Sequence, residues 1–155
     1  MVNYNREMPK SLQVLLRNAH ATVDAEVRIA LERSGYGDIL PGQLKILRNL
    51  GEGGARPSEL AAHANVTRQA VTKVVDELER LGIVRRDPDP ADGRGVIVRY
   101  TDRGLAGLDI ARQRMLELEG DYAARIGAAR WAEARTILEI LFGDEQPPRY
   151  LAPYS

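Results

Sequence analysis

Between Thr67 and Lys73 the chain sets out Thr67, Arg68, Gln69, Thr72 and Lys73 with no acid among them, and Asp76, Glu77 and Glu79 come only afterwards. Cations and amide or hydroxyl groups gathered at the start of a helix suit polyanions, because the helix dipole there favours negative charge. Gln69 carries the donor and acceptor needed to pair bidentately with an adenine edge, and Arg68 can read a guanine or clamp a phosphate. Thr67, Thr72 and Lys73 suit phosphate oxygens. An ordinary surface helix with a solvated polar face has the same composition, so the next stretch of chain decides between the two.

That stretch is a predicted β-hairpin. Ile83 to Arg86 reads as a short strand, and Val96 to Tyr100, rich in β-branched residues, as a second. Between them Asp87 to Gly95 holds prolines, glycines and aspartates and is expected to be a loop. Arg94 is the cation near its tip, and Asp92 is placed to orient the Arg94 guanidinium. An arginine on a projecting hairpin suits the negative potential of a narrow minor groove. Arg85, Arg86 and Arg99 add positions for phosphate contacts on the strands. Helix and hairpin side by side, in this order, favour a nucleic-acid surface over a solvated one.

The elements that must position these groups are helical. Leu12, Leu15, Leu16, Ala19, Val23, Val27, Ala30 and Leu31 recur at helical spacing over Ser11 to Arg33, with Ser11 as the cap. Ser34 to Leu40 is a connector. Pro41 opens a second helix carrying Leu44, Ile46, Leu47 and Leu50, and Gly51, Gly53 and Gly54 stop it. Pro57 to Ala64 is a short third helix, and Asn65 allows a tight turn into a fourth, Thr67 to Leu81, ended at Gly82. After the hairpin, a helix capped at Thr101 or Asp102 runs to about Gly127, and Trp131 to Phe142 is the last. The tail from Gln146 to Ser155, with Pro147, Pro148 and Pro153, is expected to be irregular.

Helix, helix, tight turn, helix and hairpin make a winged helix-turn-helix. The fold class expected is mainly α with a small β-hairpin wing. The division expected is an N-terminal helix over 1–34, a winged helix-turn-helix domain over 35–104 (recognition helix 67–81, wing 83–100), and C-terminal helices and tail over 105–155.

Composition narrows the function classes. The 155 residues are 44% hydrophobic and 28% charged, an ordinary globular balance, and only 5% aromatic, which calls for an aliphatic core. The formal net charge is zero, which disfavours a protein that coats polyanions but allows a local basic face. With no cysteine there are no disulfides, thiolate metal sites or thiol sensors. Two distant histidines, His20 and His63, give poor support for a metal, and no cofactor is expected. No nucleophile–base pair, metal-spaced cluster or phosphate loop marks an enzyme, since Gly51 to Gly54 lies between helices rather than after a strand. The N-terminus lacks the apolar stretch of a secretory signal and no run is long enough to span a bilayer, so the cytoplasm, in association with the nucleoid, is the expected compartment.

The block from Leu60 to Gly104 resembles the MarR (multiple antibiotic resistance regulator) family. It contains Thr67 to Thr72, then Leu78-Glu79-Arg80-Leu81-Gly82-Ile83-Val84-Arg85-Arg86, Asp87-Pro88, Asp92-Gly93-Arg94 and Tyr100-Thr101-Asp102-Arg103-Gly104. Each piece is weak alone and the set is specific. The flanking helices match as well, so the resemblance covers nearly the whole chain. Arg56 departs from it, standing where Ser or Thr commonly precedes Pro57, which leaves that helix weakly capped. Asn65 stands where Gly is common. The lack of cysteine excludes the thiol-oxidation branch, and the sparse histidines speak against the metal-sensing branch.

The resemblance implies a homodimer on double-stranded DNA, with the first and last two helices as the dimer region, and a repressor of transcription as the commonest role. The apolar stripes of those helices agree, as do Trp131, Phe142, Tyr150 and Tyr154, which have no partner inside the winged portion. The resemblance also implies a small aromatic or phenolic anion bound between dimer helices and winged portion. His20, Tyr36, Gln43, Met115 and Tyr122 are the residues expected there. The rival readings are a winged-helix module for protein interaction, which needs neither Arg94 nor Gln69, and a regulator or activator without a ligand.

Overall fold

The computed structural model describes residues 10–143, with the side chains of Gly93 and Arg94 excepted. The expectations for the tail from Gln146, including Tyr150 and Tyr154, and for the segment before Lys10 fall outside the described residues. Helix α1 spans Leu12–Leu31, with the Ser11 hydroxyl accepting from Val14 N at its start. A π-helical turn over Glu32–Tyr36 comes next, broken by Gly35 at φ 87°. Helices α2 (Pro41–Leu47) and α3 (Pro57–Ala64) each begin on the proline that the sequence offers.

Asn65, in the left-handed region at φ 50°, turns the chain sharply into α4 (Arg68–Arg80), where the Thr67 hydroxyl accepts from Ala70 N at 3.1 Å. Strands β1 (Val84–Asp89) and β2 (Asp92–Tyr100) form an antiparallel hairpin. Thr101 caps the long α5 (Asp102–Ile126), and α6 (Ala128–Phe142) turns back at Gly127.

The hairpin is longer than the sequence reading allows. Asp87, Pro88 and Asp89 belong to β1 rather than to a loop, and Asp92 to Gly95 belong to β2. Only Pro90 and Ala91 turn the chain, and the register slips at Asp89, which faces Asp92. Pro88 is tolerated because β1 is an edge strand, where a missing N–H need not break the ladder. A third pairing escapes periodicity altogether. Ala55 exchanges both backbone hydrogen bonds with Val98, at 3.0 and 2.9 Å, fixing β2 to the chain two residues before α3 begins. The last helix also begins earlier than Trp131, at Ala128.

Leu50, Leu60, Val71, Val75, Leu78, Ile83 and Val98 are the largest fully buried side chains; Leu50 lies in the turn after α2 rather than in the helix, Ile83 just before β1, and the others in α3, α4 and β2. They weld the winged portion into one core, and truncating one such leucine to alanine typically costs about 2–5 kcal/mol. The two buried tyrosines are satisfied: Tyr36 donates to Arg103 O at 2.9 Å and Tyr100 to Leu47 O at 2.8 Å. Helix α5 presses closely on this core through glycines. A Cβ at Gly104 would lie 2.0 Å from Ile83 O, and one at Gly107 would meet the Tyr36 ring at 3.0 Å. Apolar side chains at the molecule's ends are left open, among them Leu12 and Leu15 of α1 and Ile140 and Leu141 of α6.

Candidate nucleic-acid interface

Helix α4 buries Val71, Val75 and Leu78 and turns Thr67, Arg68, Gln69, Thr72 and Lys73 to solvent. Arg68, Gln69 and Lys73 make no side-chain hydrogen bond or ion pair among the described residues, and the Thr72 hydroxyl donates back to Arg68 O. The acids of the second half behave differently, because each is tied to the scaffold. Glu77 accepts from Gln43 Nε2 at 2.8 Å, and Glu79 accepts from Arg86 N at 3.0 Å. Arg86 Nη2 lies 2.6 Å from Asp76, and its Nη1 is bonded to Glu79. The helix is therefore gripped at its far end by α2 and by β1, while its first two turns present uncompensated donors.

The strand arginines are not alike. Arg86 is only 29% exposed at its side chain and sits between two carboxylates, so its charge is already balanced within the fold. The sequence could not separate it from Arg85, because their acidic partners lie on different elements. Arg85 is more open, 53% exposed, and pairs with Asp87 at 3.1 Å while reaching Tyr100 O. Arg99 shares Asp87 and donates to Gly53 O at 2.6 Å. Asp92 opens β2 beside the turn. The side chain of Arg94, and hence its orientation by Asp92, falls outside the described residues.

The buried acid of the wing is Asp89, whose partner was missed in the sequence. Its side chain is 1% exposed and accepts from Arg56 Nε at 2.6 Å and from Ala91 N at 2.9 Å. The Arg56 hydrogen bond, seconded by Ala91 N, holds the Asp89 carboxyl below the ordinary carboxylate range against the opposing effect of burial. Arg56 thus has a use that explains its presence at a capping position. The cap itself is supplied from inside α3, where the Glu59 carboxylate accepts from Arg56 N.

A cavity of about 70 Å³ lies between α1, the end of α2 and the first half of α5. Tyr36 and Met115 line it, together with Val27, Leu47 and Leu108. The other three residues expected there do not. Gln43 is buried as a strut, its Oε1 accepting from Leu40 N and its amide donating to Glu77. His20 is exposed on α1, 3.5 Å from Asp24. Tyr122 packs against Trp131 with ring centroids 5.1 Å apart. The resemblance puts all five in one crevice, whereas the structure turns only Tyr36 and Met115 towards it. The polar pair that does reach the cavity, Asp24 and Arg48, had no signal in the sequence beyond ordinary surface charge.

The MarR family model matches residues 38–95, the stretch that runs from just before α2 into β2. The HTH-type transcriptional repressor Rv2887 of Mycobacterium tuberculosis is 34% identical over 134 residues, which is 86% of this chain and 94% of that one. This chain belongs to the MarR family. It is a transcription regulator with a winged helix-turn-helix. Among other relatives, a putative transcriptional regulatory protein for the hcr operon of Thauera aromatica is 31% identical over 102 residues, and the match spans 58% of that protein's length.

The fold of reduced MarR from E. coli superposes on this MarR-family chain with a TM-score of 0.71 at 26% identity, covering 87% of this chain and 98% of that one. Rv2887 in complex with salicylic acid superposes with a TM-score of 0.62 at 32% identity, covering 85% and 96%. No helix among the described residues is long and apolar enough to cross a membrane.

Proposed function

We propose that this MarR-family regulator is a ligand-responsive homodimeric repressor that binds a pseudo-palindromic operator. One observation carries the DNA assignment: α4 leaves Arg68, Gln69 and Lys73 uncompensated at its N-terminal end, whereas Asp76, Glu77 and Glu79 are all anchored to the scaffold. In this reading Gln69 and Arg68 meet base edges in the major groove, and Thr67, Thr72 and Lys73 meet phosphates. Arg94, beside Asp92, reaches the minor groove, and Arg85 lies along the backbone. Arg86 acts from within, holding α4 to β1.

Two-fold pairing through α1, α5 and α6 would space two recognition helices by about one DNA turn, roughly 34–36 Å. The open apolar side chains on α1 and α6 supply a surface for it. The apolar cavity between α1 and α5 supplies a place for a small aromatic anion, and the similar Rv2887 forms a complex with one, salicylic acid. Such a ligand would favour the spacing of recognition helices that does not fit DNA.

The test is protection of the DNA flanking the protein's own gene, with and without salicylate. A symmetric footprint that salicylate weakens is expected. Binding that stays unchanged in Arg94→Ala and Gln69→Ala at physiological salt would refute the assigned contacts and favour a protein-interaction module.

A further inference from the structure

The cavity is apolar on every side but one, where Asp24 of α1 and Arg48, at the end of α2, form an ion pair. Its other polar side chains are spoken for, since both lining tyrosines donate to backbone carbonyls. Arg48 is therefore the one cation among the lining residues, and the Asp24 carboxylate already occupies it. Their side chains are 26% and 37% exposed, so water competes for both and the pair is weak enough to be exchanged.

We propose that Asp24 and Arg48 form a latch between α1 and α2, opened by a small carboxylate with an apolar body. This rests on the ligand-responsive reading above. The ligand's carboxylate takes the Arg48 guanidinium, whose planar fork can hold a carboxylate at two points where Asp24 takes only Nη2. Its body enters the space among Val27, Leu47, Leu108 and Met115. The displaced Asp24 keeps His20, 3.5 Å away, as a neighbour.

The exchange has a structural consequence beyond occupancy. Arg48 closes α2, and α2 is joined through Gln43 to Glu77 of α4. Opening the latch removes the ion pair that ties the first helix to the support of the recognition helix. A neutral phenol or amide gains the same cavity but leaves Asp24 in place. The latch thus sets both the ligand class, a monocarboxylate, and the route by which it is felt.

Calorimetric titration of the full chain with salicylate and with neutral salicylamide tests this, with thermal melts to show that each variant is folded. The parent should prefer salicylate. Asp24→Asn should bind salicylate roughly three- to tenfold more tightly, because the competing carboxylate is gone, and salicylamide unchanged. Arg48→Gln should lose the preference for salicylate.

Salicylate binding that is no tighter in Asp24→Asn, or a preference that survives Arg48→Gln, overturns the latch and leaves the ligand-responsive reading standing. Failure of both compounds to bind any folded variant overturns the two together.

Discussion

Arg56 donates through Nε to Asp89 at 2.6 Å and so joins the residue that opens α3 to the far end of β1. The pair spans 33 residues of sequence and acts beside the Ala55–Val98 backbone pairing. Together they hold the wing at two points along its length.

The Arg56–Asp89 pair gives a pH signature. The Asp89 carboxyl is held low in the fold, first by the Arg56 hydrogen bond. A lowered folded pKa adds stability that is complete above the unfolded carboxylate range and is lost as pH falls through the folded value. Asp89→Asn should therefore melt below the parent at neutral pH, and the gap should shrink as pH is taken below about 4. Denaturation measured across that range checks this, and a gap constant with pH would contradict it.

Lys73 and Arg86 should separate in their response to salt. Lys73 is uncompensated, so Lys73→Ala should weaken operator binding across all sequences and shallow the log–log salt slope by about one unit. Arg86 is balanced by Asp76 and Glu79, so Arg86→Ala should weaken binding by loosening α4 while leaving the slope unchanged. Equal slope changes in the two variants would mean that Arg86 leaves its carboxylates to meet phosphate.

Two glycines of α5 should respond in opposite senses to the same change. Gly104→Ala forces a Cβ against Ile83 O and should cost about 1–3 kcal/mol by overpacking. Gly120 has nothing within 4 Å of its Cβ position, so Gly120→Ala should stabilise the helix by up to about 1 kcal/mol. Thermal melts of both variants decide it, and a neutral Gly104→Ala would deny the close approach of α5 to the winged core.

Ile140 and Leu141 are 73% and 63% exposed on α6, an apolar pair that gains by leaving water. If they meet a second copy, Ile140→Glu with Leu141→Glu should shift the sedimentation equilibrium towards monomer and cost operator affinity in parallel. A dimer undisturbed by both charges would place the interface elsewhere.

The helices were legible because each carries its own signals: Ser11, Pro41, Pro57, Thr67 and Thr101 sit at or beside the starts they predict. The face of α4 was legible for the same reason, since its periodicity and charge segregation are local. The partners of Arg56, Gln43 and Arg86 were not, because a pairing between separate elements, across as many as 33 or 34 residues, leaves no mark on either neighbourhood. The hairpin was read too short because its prolines and aspartates are turn formers by type. Here Asp89 is spent on Arg56 and Ala91, and Pro88 lies in an edge strand. Of the residues expected at the cavity, His20, Gln43 and Tyr122 lie off it for a geometric reason, as which face of α1, α2 or α5 turns inward is settled only when the helices cross.

The Ala55–Val98 pairing has a bearing on what the molecule can measure. It rivets β2 to the start of α3, and α3 abuts α4, so the wing and α4 ride on one rigid frame. If α4 and the wing meet neighbouring grooves as proposed, the molecule carries a fixed gauge between them. Lengthening a half-site by one base pair between them would rotate and shift one groove against that gauge, so that either the helix or the wing could be seated but not both. In the proposed dimer, motion elsewhere in the protein would change how far apart the two copies of the gauge stand, and never the calibration of either.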